Sequence, residues 1–215
     1  YNTSKLSAGM SGEKDGLRYS VQANFDNTDG FSNVRNPRNG AYNPDRDGFS
    51  NAALTGNLAY RFNKDHELGV NVLHSDGRNR YDAGYSPASA ARDYRNDIGV
   101  GSYSLYSRNQ INADWKSTLR LGRGIDDATY RTDGRATSFV RTEQDQFSWQ
   151  NDIKLPLGKG LVAAEWLNQR ISGSQSYDRN ERSIKSLLAG WNASAASHRW
   201  QLNARRDDIS QTGAK

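Results

Sequence analysis

Cysteine is absent from this 215-residue chain, which excludes disulfides, thiolate metal sites and cysteine nucleophiles and assigns no compartment. No run approaches the roughly 18 apolar residues of a transmembrane helix, so a membrane role has to use strands. Apolar residues make up only 34% of the sequence and mean hydropathy is −0.93. A soluble two-layer core is hard to assemble from so little. Catalytic motifs are missing as well: there is no GxSxG, HExxH or phosphate loop, and an enzyme is not expected. His66, His74 and His198 share no ligand spacing and read as surface or lumen residues. The chain opens on Tyr1 with no charged and apolar leader, which suggests a removed signal peptide or a piece excised from a larger protein. The net charge of +5 admits nucleic acid as a partner. Lys and Arg are scattered, however, with no basic run or stacking motif, and nucleic acid is not expected.

What the chain does contain is a repeated cycle of alternating stretch, tight polar turn, alternating stretch and longer loop. Residues 2 to 12 read as a weak first strand, closed by a turn over Glu13 to Gly16. From Leu17 the alternation is clear: Leu17, Tyr19, Val21, Ala23 and Phe25 take one face, and Arg18, Ser20, Gln22, Asn24 and Asp26 the other. A long loop over 30 to 50 follows. Leu54, Gly56, Leu58, Tyr60 and Phe62 then mark a third strand, and the turn Asn63 to His66 leads into Leu68, Val70 and Val72. A second long loop spans 77 to 95. Further strands are expected near 96 to 107 and 113 to 126, with a turn at Arg108 to Asn112 and a loop at about 127 to 140. Phe147, Trp149 and Ile153 mark the next, and Leu161 to Ile171 returns after the turn Pro156 to Gly160. After a loop at 173 to 183, a last pair near 184 to 193 and 199 to 210 is joined at Ser194 to His198.

This pattern predicts an all-β fold, an antiparallel meander of about ten long strands with short turns at one end and longer loops at the other. Two architectures fit: a soluble sandwich or the wall of a transmembrane β-barrel. Sandwich strands are interrupted by turns every 8 to 12 residues or so, whereas these strands run roughly ten residues or more, enough to cross a bilayer at a tilt. Tyr60, Phe62, Trp115, Trp191 and Trp200 recur near strand ends, as expected of interfacial girdles. The barrel is the favoured reading.

Two loops carry candidate chemistry. Tyr42, Asn43, Asp45 and Asp47 crowd ahead of Gly48, and RYDAGYSPASAARD over 80 to 93 carries Tyr81, Asp82 and Asp93. The loops leave neighbouring hairpins at the same end of the sheet. If they meet, Asp45, Asp47, Asp82 and Asp93 repel and raise one another's pKa unless a cation sits among them. Oxygen donors without thiol or imidazole suit a hard ion such as calcium. The plainer reading is that Asp, Asn and Gly populate turns for conformational reasons. Asp45 to Gly48 is not an EF-hand: the later ligands and the flanking helices are missing. The loop arginines Arg35, Arg38, Arg46, Arg78, Arg80, Arg92, Arg131 and Arg135 suit lipid phosphates, with plain solvation the favoured alternative.

DNTDGF at 26 to 31, PDRDGF at 44 to 49, RYDAGYSP at 80 to 87 with Asp93 behind it, and ARRDDISQTG at 204 to 213 resemble the vitamin B12 (cobalamin) receptors of the Gram-negative outer membrane, a family of TonB-dependent transporters. The resemblance covers most of the chain and is strongest over 17 to 94. It implies calcium as cofactor, bound by two extracellular loops that become ordered for cobalamin capture, with Asp45, Asp47, Asp82 and Asp93 as ligands. Tyr81 lies beside the cage and Asn43 stands where the family has an amide. The family's acidic ligand after the 26 to 31 segment falls here on Ser32, next to Asn33, which implies a weaker calcium site or one completed by water. A cobalamin contact falls near Ser138.

Such barrels have about 22 strands around a plugged lumen, so residues 1–215 are expected to form a partial TonB-dependent receptor barrel domain without the plug. The implied location is the outer membrane, with outer-membrane lipid, cobalamin and, through the missing plug, TonB as partners. Self-association through open strand edges is a further expectation for the fragment. A receptor for a siderophore or another chelate, and a soluble calcium-binding β-sandwich, are the alternatives.

Overall fold

Alternation sets the register of the whole sheet. Leu17, Tyr19, Val21, Ala23 and Phe25 stand opposite Tyr60, Leu58, Gly56, Leu54 and Ala52, so one face is apolar and the intervening residues make the other face polar. In the computed structural model, which describes residues 2–32, 34, 36–40, 42–83 and 86–212, the strands are β1 (Thr3–Lys14), β2 (Leu17–Phe31), β3 (Asp47–Arg61), β4 (His66–Arg80), β5 (Tyr94–Asn112), β6 (Trp115–Thr132), β7 (Arg135–Lys154), β8 (Lys159–Gly173), β9 (Glu181–Ala195) and β10 (His198–Thr212). A one-turn helix α1 (Pro87–Ala90) lies between β4 and β5. All ten strands form a single antiparallel sheet in sequence order. Among the described residues no second sheet packs on it, which overturns the sandwich alternative. β1 and β10 each pair on one side only, so the sheet is not closed.

The apolar face is continuous across strands. One register row runs Tyr19, Leu58, Val70, Leu105, Leu121, Phe147, Trp166, and Leu58, Val70, Leu105, Leu121 and Trp166 are exposed. On β9 and β10 the same row reads Lys185 and Asp208. There the apolar positions shift toward the short turn, at Leu187, Trp191, Trp200 and Leu202, as strands tilted across a bilayer require. The buried hydrophobic residues are few and mostly small: Ala59, Ala90, Tyr106, Ala163 and Ala193. So large an exposed apolar surface is abnormal in water and normal against lipid. At the turn end the tryptophans use their polar edge, Trp115 Nε1 donating to Asn151 Oδ1 at 2.9 Å and Trp191 Nε1 to the Leu157 carbonyl at 2.9 Å, while Tyr60 and Phe62 meet edge to face with centroids 5.0 Å apart. No helix among the described residues is long and apolar enough to cross a membrane.

The polar face bonds across strands. Asn57 Nδ2 donates to Ser20 Oγ at 3.1 Å, and Asn71 Nδ2 to Ser104 Oγ at 2.9 Å.

Several boundaries differ from those expected. The first strand runs to Lys14 and turns at Asp15 and Gly16, and β5 runs to Asn112, through the turn expected at Arg108 to Asn112. The last hairpin turns at 196 and 197 only. The largest correction is at 127 to 140, expected as a loop. β6 continues to Thr132, a two-residue turn follows at Asp133 and Gly134, and β7 starts at Arg135. Both turn residues have positive φ, 50° and 79°, as the hairpin turn favoured by Asp-Gly requires. Apolar alternation fails here because charged side chains take the place of apolar ones and pair across strands: Arg123 with Glu143 at 2.9 Å, Arg141 with Asp127 at 3.4 Å and Arg131 with Asp97 at 2.6 Å. The loop end therefore carries one tight turn among its longer connections.

Candidate metal centre

The β2–β3 and β4–β5 connections leave the same end of the sheet, since each follows an even-numbered strand of the meander. Carboxylate oxygens of Asp45 and Asp82, which lie in these connections, and of Asp47, the first residue of β3, are all within 4.8 Å of one another. Asp45 is exposed, and Asp47 and Asp82 are half-buried. Carboxylates so close repel by about 1 to 3 kcal/mol per pair, the lower figure applying where water screens them. Although Asp45 is exposed as a residue, its carboxyl is raised above its ordinary value, first by partial desolvation among the loop atoms around it and then by the charge of Asp82, with Asp93 adding to the effect and Arg80 opposing it.

The two loops are joined at Asp82. Its Oδ2 accepts the backbone N–H of Val34 at 2.9 Å and lies 3.2 Å from Ser32 Oγ. The Ser32 hydroxyl is also 2.7 Å from the Asn43 carbonyl oxygen. Ser32 therefore joins the cluster as a polar link between loops. Its neighbour Asn33, with Arg35 and with Gly84 and Tyr85 of the RYDAGYSP segment, lies outside the described residues. Tyr81 is half-buried, its N–H donating to the Tyr94 carbonyl at 3.2 Å and its ring 5.9 Å from that of Tyr94. Burial, then the neighbouring Tyr130 and Tyr94, raise its phenol pKa.

Asp93 is not one of the three clustered carboxylates; its side chain pairs with Arg95. The segment before it is built locally. Ser86 caps α1 in a reciprocal capping box with Ser89 and Pro87 opens the turn, while Tyr94 Oη donates to the Ser89 carbonyl at 2.9 Å. Asp133, in the β6–β7 turn, braces this segment: it accepts from Arg92 Nε at 2.8 Å and from the Asp93 N–H at 3.0 Å. The Arg92 hydrogen bond, then the Asp93 backbone N–H, hold the Asp133 carboxyl below the ordinary range. In the sequence Asp133 falls in the stretch expected as a loop at about 127 to 140, apart from the two acidic loops. The Asp-Gly pair at 133 and 134 was the signal for a tight turn there, but nothing in sequence placed that turn against Asp93.

Ser138 stands on the polar face of β7 opposite Tyr130, the residue that acts on Tyr81. Of the loop arginines, Arg46 pairs with Asp29 at 3.0 Å, Arg92 with Asp133 at 2.8 Å and Arg131 with Asp97 at 2.6 Å, so their charge is met by protein carboxylates. Three clustered carboxylates with hydroxyl and carbonyl oxygens nearby, and no sulfur or imidazole, form a donor set that fits a hard divalent cation such as calcium.

A one-sided apolar wall of long antiparallel strands with loops gathered at one end is the architecture of a membrane β-barrel. Two solved structures share it: a doubly substituted ferric enterobactin receptor from Pseudomonas aeruginosa, matched with a TM-score of 0.69 at 16% identity over 96% of this chain and 37% of that one, and a singly substituted form of that receptor in complex with enterobactin, with a TM-score of 0.62 at 16% identity over 97% and 39%. The chain thus shares the barrel-wall fold of those two structures and spans under two fifths of their length. No family model matches it.

Proposed function

We propose that the chain is part of the barrel of a TonB-dependent receptor in the outer membrane of a Gram-negative bacterium, that its cargo is cobalamin, and that calcium orders the two acidic loops for capture. Barrel fold and exposed apolar face support the membrane part of this reading. The observation that carries the calcium part is the convergence of Asp45 and Asp82, from two connections, with Asp47 at the start of β3, within 4.8 Å. Asp45, Asp47 and Asp82 would hold the ion, with Asn43, Tyr81 and Asp93 flanking it. The ion would supply the positive charge that offsets carboxylate repulsion and so fixes one loop against the other. Cobalamin rests on the four sequence segments named above, with Ser138 as a contact.

A siderophore or other chelate is the second reading; the ferric enterobactin receptors share the fold alone with this chain and support it no better than cobalamin. Uptake itself needs the plug and TonB.

Calcium binding by the chain in detergent, measured by calorimetry and repeated with Asp45→Asn/Asp82→Asn, tests the cage. Saturable binding lost in the double variant supports it, and no binding leaves the cobalamin assignment on sequence resemblance alone. Cobalamin binding to the intact receptor with and without calcium separates the two cargoes: no cobalamin binding with all four Asp residues present favours the chelate.

A further inference from the structure

Two guanidiniums at the loop end of β9 are held by neutral amides. Gln144, Gln169, Arg182 and Gln211 fall in one register row across β7, β8, β9 and β10. Gln169 Nε2 donates to Gln144 Oε1 at 2.8 Å, and Gln169 Oε1 accepts from Arg182 through Nε at 3.0 Å and through Nη2. Arg179, in the β8–β9 connection, donates from Nη1 to Gln211 Oε1. Among the described residues neither arginine forms an ion pair, whereas their neighbour Arg170 pairs with Glu181 at 3.3 Å. An amide oxygen fixes the position of a guanidinium and leaves its charge whole.

The next row toward the short turns is of a different kind. Leu167, Ile184 and Ile209 stand side by side in register. They lie on the polar face, in the row that reads Gln146, Gly122 and Ser104 on β7, β6 and β5, and Ile209 is 55% exposed. Two residues along a strand, about 7 Å, separate this row from the arginines. A cleft of about 300 Å³ takes in Arg179, Arg182, Gln211, Thr142 and Ile171. Arg170 and Glu181 also line it and offset each other, so the charge left over is that of Arg179 and Arg182.

We propose that this cleft binds a small molecule that joins a phosphate ester to an apolar body. The two guanidiniums take the phosphate, whose several acceptor oxygens match their forked donors, and Leu167, Ile184 and Ile209 take the body, which leaves water on docking there. Gln144 and Gln169 act as positioning residues: they hold Arg182 in place without competing for its charge as a carboxylate does. As a contact for cargo entering at the loop end, the site rests on the receptor reading given above; the binding itself does not.

Calorimetric titration of phenyl phosphate into the chain in neutral detergent and calcium-free buffer tests the site, with inorganic phosphate, benzoate and phenol as comparisons. Phenyl phosphate is expected to bind several-fold more tightly than each of the three. Arg179→Gln/Arg182→Gln is expected to weaken it at least tenfold. Gln169→Glu, which keeps the size of the side chain but sets a carboxylate against Arg182, is expected to weaken it several-fold. Glu181→Gln, which frees Arg170, is expected to tighten it several-fold, a gain that a misfolded protein does not give. Ile184→Asn is expected to bring phenyl phosphate down to the affinity of inorganic phosphate. Arg123→Gln, whose guanidinium is already met by Glu143, is expected to leave binding unchanged. The proposal is overturned if Gln169→Glu or Glu181→Gln leaves the affinity as it was, if Arg123→Gln weakens it as much as the double variant does, or if benzoate or inorganic phosphate binds as tightly as phenyl phosphate. Calcium binding is titrated separately: phenyl phosphate binding absent with calcium binding present removes this site alone, and the converse removes the calcium cage alone.

Discussion

The backbone N–H of Val34 donates to the carboxylate of Asp82 at 2.9 Å, and this bond ties the β2–β3 connection to the β4–β5 connection. Asp82 thus serves both as a candidate ligand and as the joint between the two loops that supply the others.

Replacing Asp82 with Asn removes one charge from the cluster and weakens the acceptor for Val34. Calcium affinity should fall at least about tenfold, equivalent to roughly 1.4 kcal/mol. Asp133→Asn, which touches only the brace on Arg92 and Asp93, should cost less. Equal losses in parallel calorimetric titrations would remove Asp82 from the ligand set.

Calcium binding should weaken on acidification. The Asp45 carboxyl is raised above its ordinary value by burial and by Asp82, so the folded loops hold a proton there more tightly than the unfolded chain does. That proton's contribution to stability is present below the ordinary carboxylate range and is lost as pH rises through the raised value. Calcium competes for the deprotonated form, and binding should release protons at mildly acidic pH. Titrations in buffers of different ionisation enthalpy measure the release, and Asp45→Asn should reduce it.

The Asp133 brace has the opposite sign. Its carboxyl is held below the ordinary range by Arg92 and by the Asp93 N–H. The stability it adds is present above the unfolded value and is lost as pH falls through the depressed one. Hydrogen exchange at residues 86–93 should quicken in Asp133→Asn at neutral pH. Unchanged exchange there would mean that α1 and its capping box hold the segment alone.

The two faces of β5 should respond differently to charge. Leu105→Arg places a guanidinium in the apolar row and should destabilise the membrane-inserted receptor by about 2 to 4 kcal/mol, whereas Ser104→Arg, one residue away on the polar face, should cost far less. Equilibrium refolding into lipid vesicles compares them. Equal costs would contradict the assignment of faces.

The strands of the first hairpins were legible because Leu17 to Phe25 and Leu54 to Phe62 alternate strictly, and period-two patterning needs only one buried or lipid-facing side. Residues 127 to 140 were not. There Asp127, Thr129 and Arg131 take the outward positions, and pairing with charged neighbours on adjacent strands, Arg141 and Asp97, invisible in a single strand's pattern, sustains the sheet. The Asp-Gly turn was a local signal outweighed by the lost alternation. In the candidate site the crowding of Asp45, Asp47 and Asp82 followed from loop composition and hairpin order. The pairing of Asp93 with Arg95 and the link through Ser32 depend on side-chain direction, which residue types alone do not fix.

Every strand of the sheet bonds only to the strand before it and the strand after it. The wall can therefore assemble hairpin by hairpin, most steps closing a short turn and the β2–β3 and β4–β5 steps a longer loop whose added entropic cost grows only slowly with length. An error of register in one hairpin need not be carried into the others. At each stage the growing sheet presents only two edges to be paired, so the number of sites open to mistaken partners stays constant as the wall lengthens.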